Sequence, residues 1–93
     1  MRFDGKVGII TGSGRGIGKG IATKFASEGG IAIVVDVDAA TAEATAKEIE
    51  ASGGKAMAAK CDITSQEEVN GLVAKVIEKY GKVDILVNNV GWN

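Results

Sequence analysis

Residues 11 to 18 read Thr-Gly-Ser-Gly-Arg-Gly-Ile-Gly, with every second position a glycine from Gly12 onward. Such a loop, entering a helix, lets the backbone pass close to a phosphate, while the helix N-terminus supplies free N–H groups and positive partial charge. The bland reading is a tight turn with no ligand. The P-loop pattern is excluded, because it needs Gly at position 13 and Ser or Thr at 20, where the chain has Ser13 and Gly20. A Gly-x-Gly-x-x-Gly spacing from Gly12 also fails, at Ile17.

A second group with chemical potential is Asp36, eighteen residues after Gly18 and directly behind the apolar run Ile31 to Val35. In dinucleotide-binding folds an acid there accepts hydrogen bonds from the adenosine ribose and repels the extra phosphate of NADP. The alternative is a solvated strand-end carboxylate. Asp38 is better placed to cap the next helix, and Val37 offers no basic group to a 2′-phosphate, although Arg15 could reach one. These residues favour NAD over NADP.

Groups for the chemical step itself are scarce. Histidine is absent, which removes imidazole base catalysis and His ligation of metals. The single cysteine, Cys61, reads as a small buried hydrophobe, having no activating partner. Trp92 reads equally as a wall of a substrate site or as an exposed end residue.

The elements that must position these residues alternate. Lys6 to Thr11 and Ile31 to Val35 predict buried strands; Lys55 to Cys61 predicts a weaker one, and Val83 to Val87 a fourth. Ile17, Ile21 and Phe25 predict an apolar helix face ended by Gly29-Gly30. Asp38 begins an alanine-rich helix to about Ala51, ending at Ser52-Gly53-Gly54. Thr64 and Ser65, each with a glutamate three residues on, predict a doubled capping box. The helix behind it carries Val69, Leu72, Val73, Val76 and Ile77 and closes at Tyr80-Gly81.

The resulting β-α-β-α-β-α-β order predicts an α/β fold: a Rossmann-type doubly wound parallel sheet, truncated, with strand order 3-2-1-4. Residues 1–93 are the N-terminal part of a single Rossmann-type domain on this reading. Lys plus Arg number 11 and Asp plus Glu 12, a net charge of −1, with no basic patch to hold nucleic acid. No apolar run is long enough for a bilayer, the N-terminus lacks a signal-peptide core, and one cysteine requires no oxidising compartment. A cytoplasmic protein is the default expectation.

Taken together, Thr11, Gly12, Gly16 and Gly18 match the T-G-x-x-x-G-x-G cofactor loop of the short-chain dehydrogenase/reductase family, which the chain resembles over essentially all 93 residues. Asn88-Asn89-Val90-Gly91 is similar to that family's N-N-A-G motif, with Val90 for Ala, and Asp62-Ile63 looks like its adenine-bracketing pair. The resemblance implies an NAD-dependent oxidoreductase moving a hydride between nicotinamide and a secondary alcohol or ketone. Its cofactor contacts would be Gly12, Ser13, Arg15, Gly16, Ile17, Gly18, Asp36, Asp62, Ile63, Asn88, Val90 and Gly91. Part of the asparagines' role in that family is structural. The family's Y-x-x-x-K signature fails here, since the only tyrosine, Tyr80, has Asp84 four residues on. No catalytic residue is therefore expected in this chain; the catalytic part would follow Asn93, leaving a cofactor-binding fragment inactive alone.

The full-length protein would act on a small-molecule alcohol or ketone, without nucleic acid or membrane, as a homodimer or homotetramer. A 3-oxoacyl-[acyl-carrier-protein] reductase-like enzyme is the alternative, disfavoured by the NAD signature. The ending Val90-Gly91-Trp92-Asn93 resembles a variant in NAD-using dehydrogenases of cyclic hydroxyacyl-CoA thioesters, which favours a cyclic or an acyl-CoA hydroxy substrate. A non-catalytic nucleotide-binding module is the alternative of another class.

Overall fold

The computed structural model describes residues 2–89. Its elements are β1 (Val7–Thr11), α1 (Gly16–Ser27), β2 (Ile31–Asp36), α2 (Ala39–Ala51), β3 (Lys55–Lys60), α3 (Gln66–Tyr80) and β4 (Ile85–Val87). The four strands form one sheet in the order β3-β2-β1-β4, every neighbouring pair parallel. This is the Rossmann-type order expected from alternating strands and helices.

Strand alternation divides the core in two. Ile10, Ala32 and Val34 point to one face, where Ala22, Phe25 and Ala26 of α1 and Ala42, Ala46 and Ile49 of α2 cover them. Val7, Ile9, Ile33 and Val35 point to the other, under Leu72 and Val76 of α3 and beside Cys61. Burial on both faces explains why β1 and the core of β2 read as continuous apolar runs. Tyr80 packs partly buried in the α3 layer, with the Lys79 ammonium 5.4 Å from its ring centre.

Capping chemistry sets two of the helix starts. Asp38 accepts from the Thr41 N–H at 3.2 Å, and Ser65 accepts from the Glu68 N–H at 3.3 Å. The capping box at Ser65 does not close reciprocally: the Glu68 carboxylate accepts instead from the Asp62 N–H at 2.9 Å. Thr64 is likewise drawn away, its hydroxyl and N–H both donating to Asp62 Oδ1.

Three expectations shift. Ile17 is 79% exposed in the first turn of α1, while Phe25, two turns on, is buried in the core. Ile77 is 47% exposed at the margin of the α3 stripe. The fourth strand begins only at Ile85. At its entry Asp84 exchanges two bonds with Val7: its N–H donates to the Val7 carbonyl at 2.9 Å, and its carboxylate accepts from the Val7 N–H at 2.8 Å. A side chain thus takes the place of a ladder carbonyl.

At the opposite end of β1 the buried Ser13 hydroxyl donates to the Ile10 carbonyl at 2.5 Å and accepts from the Val35 N–H at 2.9 Å. Its own N–H donates to the Val35 carbonyl at 2.9 Å. This clasp extends the β1–β2 pairing into the glycine loop.

Two outcomes follow from these end ties. Ser13→Ala leaves the buried Val35 N–H without an acceptor and should cost about 1–3 kcal/mol; chemical denaturation showing no loss would contradict the clasp. The Val7 N–H, with Lys82 beside it, holds the Asp84 carboxyl below its ordinary range. The unfolded value is about 3.9, so the tie is fully present above it and is lost as pH falls through the lower folded value. Asp84→Ala should therefore lower Tm at neutral pH, with the gap to wild type closing below about pH 4. A gap independent of pH would show that the carboxylate charge plays no part.

Candidate functional site

At the C-terminal ends of β1, β2 and β4 a cleft of about 510 Å³ is lined by Gly12, Arg15, Gly16, Ile17, Asp36, Val37 and Asn89. Ligands of open α/β sheets bind at this end of the strands.

The cleft exists because the backbone closes tightly around it. A Cβ on Gly18 would collide with the Gly12 carbonyl and come within 2.7 Å of Asn89 Nδ2. One on Gly12, which has φ +60°, would collide with the Asn89 carbonyl. Only glycine at both positions lets the start of α1 settle against the ends of β1 and β4. Thr11 completes the junction, its hydroxyl accepting from the Asn89 N–H at 2.8 Å. It donates toward the Val87 carbonyl at 3.3 Å and Asn88 Oδ1 at 3.2 Å.

The electrostatics are equally local. Helix α1 has Arg15 at its N-cap with no capping side-chain bond, and no acid in its first turn. The free N–H groups and positive end of α1 therefore face the cleft uncompensated, unlike those of α2 and α3. Across from them stands Asp36, 7% exposed, its Oδ1 accepting from the Asp38 N–H at 3.1 Å. The Thr41 N–H holds the Asp38 carboxyl below its ordinary range, with a smaller contribution from Arg15. The walls carry Ile17 and Val37, the latter 62% exposed. The arrangement offers donors for an anion, a carboxylate for hydroxyl donors and apolar surface between them.

Of the residues singled out in the sequence, Gly12, Arg15, Gly16, Ile17 and Asp36 line the cleft together. Ser13 does not: its side chain is fully buried and its hydroxyl is engaged by β1 and β2, so it supports the loop from beneath. Gly18 is a packing position, buried against Gly12 and Asn89. Asn88 turns its side-chain oxygen to Thr11. Asp62 and Ile63 follow β3 outside the cleft lining, tied beside Asp36 by the bond from the Cys61 N–H to the Asp36 carbonyl at 3.1 Å. The Thr64 hydroxyl and N–H hold the Asp62 carboxyl below its ordinary range. Burial and the neighbouring acids Glu68 and Asp62 push the Cys61 thiol up, away from the reactive thiolate. Val90, Gly91 and Trp92 lie outside the described residues.

Sequence reasoning passed over Asn89 as a cleft residue, although it sits in the same motif as Asn88 and its backbone meets Gly12. Tyr80 belongs to the other end of the sheet, just before the Asp84–Val7 tie. Among the described residues there is no group of three or more Cys, Asp or Glu that could hold a metal ion, and no helix long and apolar enough to cross a membrane.

Many known proteins are similar to this chain in sequence and in structure. The chain is 52% identical over 91 residues to the 7alpha-hydroxysteroid dehydrogenase of Escherichia coli K12, covering 98% of this chain and 36% of that protein. A solved structure of a 7alpha-hydroxysteroid dehydrogenase complexed with NADH and 7-oxo glycochenodeoxycholic acid is 51% identical, with a TM-score of 0.93, covering 97% of this chain and 35% of that one. A metagenomic short-chain oxidoreductase solved with NADP is 34% identical, also with a TM-score of 0.93, covering 99% and 42% respectively. The chain thus spans about a third of the length of these hydroxysteroid dehydrogenases. The family model for short chain dehydrogenases matches residues 6–93, and the chain belongs to the short chain dehydrogenase family.

Proposed function

We propose that this chain binds NAD across the cleft and serves hydride transfer between that cofactor and a secondary alcohol or ketone. The observation that carries the reading is the pairing of an uncapped, acid-free helix N-terminus with a carboxylate on the far wall of one cleft. The N–H groups at Gly16, Ile17 and Gly18 suit a pyrophosphate, and Asp36 suits the hydroxyls of the adenosine ribose. Asp62 and Ile63 stand beside Asp36, on the side where an adenine ring would extend. Ile17 and Val37, two exposed apolar side chains, offer surface for the rings and ribose. Asn88, Val90 and Gly91 are assigned to the nicotinamide side. Ser13 contributes by holding the loop.

Related structures hold NADH in one case and NADP in another, so the cofactor assignment rests on this chain's own residues. A 2′-phosphate would meet the Asp36 carboxylate, and Val37 brings no compensating charge. Arg15 stands within electrostatic reach of Asp38.

The nicotinamide, when bound, carries the hydride; the protein's task is to bind and orient it. Within this chain the residues named do only that, and the proton-handling groups are assigned to sequence beyond them. The relative at 52% identity supports a cyclic secondary alcohol as the substrate class, the cyclic rather than the acyl-CoA arm of the sequence hint. A cytoplasmic location and a homodimeric or homotetrameric full-length protein belong to the same proposal.

Calorimetric titration tests the cofactor assignment. The wild type should bind NAD at least about tenfold more tightly than NADP, from like-charge repulsion at Asp36. Asp36→Asn keeps the acceptor for Asp38 but removes the charge, and should narrow that ratio chiefly by improving NADP. Tighter binding of NADP by the wild type would overturn the assignment.

A further inference from the structure

Helix α2 presents Ala42, Thr45, Ala46 and Ile49 to the sheet, all buried. Thr45 is the polar residue on that stripe, 2% exposed, and its hydroxyl donates to the Gly14 carbonyl at 2.6 Å. Gly14 is buried in the middle of the glycine loop, thirty-one residues away in sequence. No other hydrogen bond to that carbonyl exists among the described residues. Valine would fill the same volume without the polar cost, so the hydroxyl needs a reason beyond packing.

Peptide planarity supplies one. The Gly14–Arg15 peptide is trans, so its carbonyl and its N–H point in opposite directions. With the carbonyl anchored on α2, the Arg15 N–H is turned away from α2, and it finds no acceptor among the described residues. Arg15 itself lines the cleft and stands at the N-cap of α1. Without the anchor, the Gly14 carbonyl would be a buried acceptor lacking a donor, and glycine flanks on both sides of Arg15 would let this peptide turn over. The turned peptide would present an oxygen to the anion end of the cleft. The space around Gly14 is also defined by α2, since a Cβ there would come within 2.6 Å of the Thr41 methyl and 2.7 Å of Asp36 Oδ2.

We infer that Thr45 is a positioning residue for the anion site, fixing through the Gly14 carbonyl the peptide that directs the Arg15 N–H toward the pyrophosphate. The inference rests on the nucleotide reading and deepens it. It also makes α2 a single support for both halves of the ligand, because the N–H of its N-cap residue, Asp38, donates to the Asp36 carboxylate.

The test is titration of the full chain with NAD and with adenosine, which lacks the pyrophosphate, in wild type, Thr45→Val and Thr45→Ser. NAD affinity should fall about tenfold in Thr45→Val, the size expected for one lost charge-assisted donor. It should recover to within about threefold of wild type in Thr45→Ser, which restores the hydroxyl. Adenosine affinity should be the same in all three. Unchanged NAD binding in Thr45→Val, or parallel loss of NAD and adenosine without rescue by serine, overturns the inference while leaving the nucleotide reading intact. Absence of saturable NAD binding in the wild type overturns that reading, and this inference with it.

Discussion

The contact on which the site depends is between two pieces of bare backbone: the Cα of Gly18 lies against the Gly12 carbonyl, with Asn89 packed over both. Any side chain at either position would push the start of α1 away from the ends of β1 and β4. With the contact made, the first turn of α1 is delivered to the mouth of the sheet. Its N–H groups are neither capped by a side chain nor answered by an acid. The exposure of these N–H groups at the cleft is thus a consequence of packing, and the glycines act mainly by being small.

Everything around that contact works to hold it still. Ser13 pins the loop to β2 from below, Thr45 pins it to α2 from the side, and Thr11 joins it to the end of β4. All three use hydroxyls, which can donate and accept in the small space between closely packed backbones. At the other end of the sheet Asp84 performs the comparable service for β1 and β4. The apolar layers on the two faces supply cohesion, and these polar ties decide where the strands end and what their ends present.

The sequence made the scaffold readable because its signals are local. Buried strands are continuous apolar runs, and Asp38 and Ser65 sit directly before the helices they cap. Asp36 was legible for the same reason, standing one residue after an apolar run, and so was Val37 beside it. What escaped depends on partners far along the chain. Ser13 has the look of a phosphate-loop residue until Val35, twenty-two positions on, takes its hydroxyl. Thr45 reads as an ordinary member of an alanine-rich helix until Gly14 is seen beneath it. The shortened β4 follows from a carboxylate bonding to a strand seventy-seven residues earlier, which no periodicity reveals. Ile17 fits the helical stripe by spacing and the cofactor loop by resemblance, and the structure resolves the two by leaving it exposed on the cleft wall.

The loop-to-α1 junction, with Asp36 opposite, is the place proposed for a dinucleotide on this chain. Backbone amide chemical shifts recorded by NMR during addition of NAD test it residue by residue. The largest changes are expected at the amides of residues 12–18, with further changes at Asp36 and Val37, and none at Gly53 to Lys55 at the other end of the sheet. Changes clustered at that far end, or an unperturbed glycine loop with NAD in excess, would contradict it.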